Sequence, residues 1–301
     1  MADPEQINAD QLAFWNGPGG QTWVARQEHT DITLAPVTEA LLAFATPHTG
    51  ERVLDIGCGC GATTLEFARA VGPAGRAAAL DISRPMLAEG QARAKTAGIT
   101  NVAWQQVDPA TAALDPYDLL TSAFGVMFFG DPVGAFANMR GAASPGARMA
   151  FVCWRALAEN PWMEVPMNAV SRHLPPRPKP VPNTPGMFAF ADPERVSEVL
   201  IAAGWAAPRL EKLDLDLDIA AGWRRLWISR LKSVPSIVGC ATSRRTSSQP
   251  PSRPSVRRWR CIWMARECAF PVRCGWSVAR LPECAPSLTA FVAVHESAIG
   301  R

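Results

Sequence analysis

The feature that most constrains this chain is a short apolar run broken by three alternating glycines, Val53-Leu-Asp-Ile-Gly-Cys-Gly-Cys-Gly61. Val53, Leu54 and Ile56 predict a buried strand, and helical spacing begins near Ala62, so a strand passes into a helix through a glycine turn. That turn brings the carboxyl end of the strand and the amino end of the helix to one crevice, where open α/β sheets bind ligands. Gly57, Gly59 and Gly61 permit positive φ angles and leave room for a ligand against the backbone. Asp55, at the strand end, repels a pyrophosphate and attracts an ammonium, which suits a nucleoside bearing an amino acid. Asp81 closes the next apolar run, twenty residues past Gly61, where an acid accepts hydrogen bonds from ribose hydroxyls. Gly57, Gly59 and Ala62 also satisfy the dinucleotide pattern G-x-G-x-x-G/A, so an NAD(P)-dependent oxidoreductase is the alternative reading.

Taken together, these residues resemble the class I S-adenosylmethionine-dependent methyltransferases, and within them the bacterial small-molecule group related to ubiquinone/menaquinone-biosynthesis enzymes. The resemblance runs from about Trp15 to Trp223 and rests on the acidic glycine loop 55–61, Asp81, Asp108 after the third strand, and Phe124-Gly-Val-Met-Phe-Phe129 after the fourth. It implies S-adenosyl-L-methionine as cofactor and contacts from Asp55, Gly57, Cys58, Gly59, Gly61, Asp81, Ile82, Met86, Asp108, Pro109 and Ser122. In this reading Leu80, Ile82 and Met86 flank the adenine and Asp108 accepts from its amino group. Pro109 stands where relatives usually carry alanine, and it removes one backbone N–H from the adenine rim.

From Glu51 onward strands and helices alternate, predicting a doubly wound, Rossmann-like α/β sheet with helices on both faces. Strands fall at about 51–56, 76–81, 101–107, 117–123, 148–154 and 208–219, with helices at 62–71 and 84–97. Ser83 is expected to cap the second of these helices. Residues 1–50 form capping helices, 51–230 the cofactor domain, and 156–190, rich in proline, a lid above the cofactor; Trp162, Met163, Met167 and Phe188 are its candidate pocket residues. Beyond about residue 231 the regular pattern ends. The last helix and strand of the resembled fold are not evident there, and arginine, serine, proline, cysteine and tryptophan recur without period. This is the vocabulary of a GC-rich gene read in a shifted frame, which would leave a domain lacking its last strand and a cofactor-binding protein without turnover. Phe291-Val-Ala-Val294 is the one candidate for a substitute strand.

Charge divides along the same line. The net +3 of the 301 residues combines 18 bases and 24 acids up to residue 229 with 12 bases and 3 acids after it, or −6 and +9. A basic tail suits nucleic acid or an anionic membrane, but the fourth strand lacks the Asn/Asp-Pro-Pro-Tyr mark of nucleic-acid amine methylation, so nucleic acid is disfavoured. The amino terminus has no apolar signal core and no run is long enough to span a membrane, so a cytoplasmic protein is expected. Cys58, Cys60 and Cys153 are small fillers or core in this reading, and the five tail cysteines lack C-x-x-C spacing, so no metal site is expected. The expected activity is methyl transfer to a small, apolar acceptor. Only His29 and His173 are candidate bases, and neither is assigned a catalytic role. Acceptor and oligomeric state stay open.

Overall fold

The computed structural model describes residues 4–175, 184–206, 208–217 and 287–296. Three helices lead: α1 (Pro4–Asn16), α2 (Pro18–Ala25) and α3 (Gln27–Ala45). Then β1 (Arg52–Ile56), α4 (Ala62–Val71), β2 (Arg76–Asp81), α5 (Arg84–Thr96), β3 (Val102–Gln106) and β4 (Tyr117–Ala123) alternate. A short 3₁₀ turn (Gly125–Phe128), α6 (Pro132–Gly141), β5 (Ala143–Trp154), α7 (Pro161–Ser171), α8 (Pro193–Ala202), β6 (Arg209–Asp216) and β7 (Ser287–Glu296) follow.

The strands form one sheet in the order β3-β2-β1-β4-β5-β7-β6. The first five neighbours run parallel, and β7 lies antiparallel to both β5 and β6. The doubly wound α/β expectation therefore holds. β1 is buried from Val53 to Ile56, as a central parallel strand covered on both faces should be. The order reverses between β1 and β4, paired Leu54 with Leu120, and this switch point is where such sheets place ligands.

The expected lack of a last strand is corrected, and the substitute offered at Phe291–Val294 is part of the strand that forms. Residues 287–296 supply it, pairing Ala150 with Val294 on one side and Leu213 with Ala290 on the other. The strand thus satisfies backbone donors and acceptors of β5 and β6 that would otherwise be orphaned. The irregular basic stretch expected over 231–286, and the end at 297–301, lie outside the described residues.

Local chemistry sets the helix starts. Asp131 and Asp192 each cap a helix whose first residue is proline, accepting from the Gly134 and Glu194 N–H groups at 3.0 Å. Ser83 precedes α5 but does not cap it; its hydroxyl donates to the Trp15 carbonyl at 2.6 Å and so holds the leading helices to the body. β5 begins earlier than expected, at Ala143, with a register shift opposite Tyr117 and Leu119. The expected lid is partly regular, since α7 forms around an internal Pro166. No helix among the described residues is long and apolar enough to cross a membrane.

Candidate functional site

The switch point opens into a cavity of about 700 Å³. Gly57, Cys58, Gly59, Asp81, Ile82, Met86, Asp108 and Pro109 lie on its wall. Asp55, Gly61 and Ser122 do not, and they support it from behind.

Gly57 has φ +65°, and a Cβ there would sit 2.7 Å from the Gly125 Cα. Gly61 has φ +79°, and its Cβ would lie 2.5 Å from the Trp104 ring. Both glycines are thus required by close protein contacts and by the left-handed turn, and of the two only Gly57 also lies on the cavity wall. Gly59 is on the cavity side, where a Cβ would meet only the flexible end of Met86 at 2.9 Å and Trp23 Nε1 at 3.9 Å.

Asp81 ends β2 with its carboxylate held in place. Its Oδ2 accepts from the Gly59 N–H at 2.8 Å and its Oδ1 from the Ser83 N–H at 2.7 Å. Burial raises its pKa against the pull of those N–H groups. A carboxylate offers about four acceptor sites, more than these backbone N–H groups use, so capacity is left for a ligand hydroxyl.

Asp55 behaves differently from the sequence expectation. It is fully buried, and its Oδ2 accepts from the hydroxyls of Thr63 and Thr64 at 2.7 and 2.5 Å. Its Oδ1 has no hydrogen-bond partner. Burial is the main cause of a pKa raised to about 6, with the nearby Asp81 charge adding to it. It anchors the start of α4 beneath the glycine turn. Ser122 likewise ties two strands: its hydroxyl donates to the Ile56 carbonyl at 2.7 Å and accepts from the Gly125 N–H at 3.1 Å.

At the far end, Asp108 accepts from the Ala110 N–H at 2.9 Å and lies 3.5 Å from Asn8 Nδ2. Asn8 Oδ1 accepts from the Gly130 N–H at 3.2 Å, so α1 bridges two loops of the body across the cavity. The thiols of Cys58 and Cys60 are buried, and burial pushes Cys60 up to about 12 and Cys58 well above the usual thiol range. Both stay neutral, as packing side chains do.

Several residues on or next to the wall carry no sequence signal of their own. Arg93 on α5 pairs with Asp31 of α3 and donates to the Cys60 carbonyl, joining two helices and the glycine turn. Along α3, His29, Thr30, Thr33, Leu34 and Thr38 face the cavity, a helical spacing recognisable only once the partner wall is known. Opposite polarity comes from rings: Phe124 stacks on Trp154 at 4.4 Å, Trp154 meets Trp162 at 5.4 Å, and Trp15 meets Trp23 and Phe128 at 6.2 and 5.5 Å. Of the expected lid residues Trp162 lines the cavity, joined by Met187 rather than Phe188, while Met167 is exposed. His173 is exposed and away from the wall.

A largely parallel sheet with a glycine turn at its switch point, a buried acid closing β2 and an acid after β3 fits a domain that binds a nucleoside cofactor. Residues 53–146 match the family model of the methyltransferase domain. Over that stretch the chain is similar to S-adenosylmethionine-dependent methyltransferases. It is 36% identical over 118 residues to aklanonic acid methyltransferase DauC of Streptomyces sp. (strain C5), covering 38% of this chain and 54% of that protein. It is 35% identical over 104 residues to the ubiquinone/menaquinone biosynthesis C-methyltransferase UbiE of Saccharophagus degradans, covering 34% and 42%. The chain thus matches about half or less of the length of these relatives. Among solved structures, a phosphoethanolamine N-methyltransferase 2 of Haemonchus contortus in complex with S-adenosyl-L-methionine superposes with TM-score 0.50 at 15% identity, over 87% of this chain and 52% of that one. That likeness is one of fold.

Proposed function

We propose that this protein transfers a methyl group from S-adenosyl-L-methionine to a small, apolar acceptor. The observation that carries the reading is the Asp81 carboxylate, pinned by the Gly59 and Ser83 N–H groups at the mouth of the glycine turn with acceptor capacity to spare. In this reading Asp81 takes the ribose hydroxyls, Ile82 and Met86 flank the adenine, and Asp108 receives its amino group. Pro109 closes the adenine rim without an N–H to offer. The backbone from Gly57 to Gly59, with Cys58 as filler, faces the amino-acid end, while Asp55, Gly61 and Ser122 hold the turn in shape.

When bound, the cofactor supplies a methyl group already activated by a positive sulfur. The protein's task is then alignment and exclusion of water, and well-oriented encounters are worth up to roughly 7–11 kcal/mol. Trp15, Trp23, Phe128, Phe124, Trp154 and Trp162 put aromatic surface on the cavity wall, which favours an apolar acceptor over water there.

Calorimetric titration with S-adenosylhomocysteine, run beside a nicotinamide dinucleotide, tests the reading. Binding of the first alone supports it; binding of the dinucleotide alone would replace it with the oxidoreductase reading.

A further inference from the structure

The part of the cavity beyond the glycine turn has two unlike walls. One is aromatic, built from Phe124, Trp154 and Trp162. The other is a polar stripe on α3 that includes His29, Thr30 and Thr33. Flat rings stack favourably on such an aromatic wall, and a stripe of hydroxyls and imidazole recognises a neutral polar substituent.

Charge narrows the occupant further. Asp31, Asp81 and Asp108 are on the wall, and no lysine or arginine is among the described residues that line it. The nearby Arg93 is already engaged by Asp31 and the Cys60 carbonyl. An anionic acceptor would therefore lose its hydration without gaining a free cation.

Two polar atoms point to the substituent. The Thr33 hydroxyl and the Trp162 indole N–H are buried and make no hydrogen bond. Both belong to residues that line the cavity. An indole N–H is a donor only, so its partner has to be an acceptor atom. A buried donor left without one is unfavourable, which gives a ligand oxygen in this region a specific place to bind.

We propose that the acceptor lobe takes an uncharged, flat aromatic compound bearing a hydroxyl or carbonyl oxygen, its ring on the Phe124–Trp154–Trp162 wall and its oxygen on Trp162 Nε1 and the Thr33 hydroxyl. This deepens the methyltransferase reading and rests on it. It makes Trp162 and Thr33 specificity residues of that site.

The test uses the full chain saturated with S-adenosylhomocysteine and titrated calorimetrically with 4-phenylphenol, biphenyl-4-carboxylate and biphenyl. The phenol is expected to bind at least tenfold tighter than the carboxylate. Thr33→Val, which keeps the shape, should weaken the phenol about fivefold or more and leave biphenyl unchanged, and Trp162→Phe, which keeps a ring and removes the N–H, should weaken the phenol at least fivefold more than it weakens biphenyl. A merely structural role would weaken phenol and biphenyl by the same factor. Carboxylate binding as tight as the phenol, no binding of either probe, or variants that leave the phenol unaffected would overturn the inference while S-adenosylhomocysteine binding leaves the cofactor reading standing. Failure to bind S-adenosylhomocysteine would remove the cofactor reading, and this inference with it.

Discussion

The Phe124 ring lies flat on Trp154, centroids 4.4 Å apart and planes 10° from parallel, while the Phe124 backbone holds φ at +66°. A bulky side chain in the left-handed region is strained and persists only where its surroundings over-determine it. Here the Phe124 N–H also donates to the Val152 carbonyl at 3.0 Å, fixing the chain as it leaves β4. Trp154 is 5% exposed, so Trp154→Ala should cost about 3–5 kcal/mol and release the Phe124 turn. Urea denaturation of the variant beside the parent protein measures the loss.

Removing the Asp81 carboxylate takes away the acceptor for two N–H groups of the wall and, in the proposed reading, a contact to the cofactor ribose. Asp81→Ala is expected to weaken S-adenosylhomocysteine at least tenfold, about 1.4 kcal/mol. Calorimetry decides it, and an unchanged affinity would take Asp81 out of the binding site.

Asp55 gives stability a pH dependence of known sign. Its folded pKa is raised from 3.8 to about 6, so the native state binds its proton more tightly than the unfolded chain does. The resulting penalty is absent below about pH 4, grows between pH 4 and 6, and is fully present above 6. Relative to Asp55→Asn, the parent protein should therefore gain stability on acidification from pH 7 to 4, by an amount on the order of 3 kcal/mol at most. Parallel denaturation curves at pH 4.5 and 7.5 test this; equal differences at both pH values would refute it.

Glu51 runs the other way. It accepts from both terminal nitrogens of Arg148, at 2.7 and 2.9 Å. Although burial opposes it, the combined hydrogen bonds from Arg148 and His48 and the Arg148 charge lower its pKa from 4.5 to about 2. Its contribution is present above pH 4.5 and is lost as the pH falls toward 2. Glu51→Gln should cost about 1 kcal/mol at pH 7, a modest figure because the pair is partly solvated, and the gap should close on acidification.

Gly61→Ala should destabilise the protein without touching a ligand directly. The new methyl group would meet the Trp104 ring at 2.5 Å in a backbone conformation of φ +79°, for a loss of about 1–3 kcal/mol. A thermal melt without cofactor should show the shift.

A chain ending at residue 286 would lack β7 and leave β5 and β6 without their shared neighbour. Such a truncation is expected to expose a long hydrophobic edge and to aggregate. A soluble, cooperatively melting truncated protein would argue against the pairing.

The sequence by itself determined the repeating β-α order, the glycine turn at 57–61 and the acids at 81 and 108, because hydrophobic period and glycine or aspartate punctuation are local signals. The starts of α4 and α5 could likewise be read from adjacent residues. Tertiary structure decided the rest. Asp55 and Gly61 read as ligand contacts along the chain, yet Thr63, Thr64 and Trp104 occupy them from neighbouring elements. The last strand was obscured because its partners are far away in sequence, with Trp154 paired to Ala290. The aromatic wall and the α3 stripe became a site only when the fold brought Trp154, Trp162 and residues 29–38 around one cavity. Periodicity carries which face is apolar; it carries no information about which distant face will meet it.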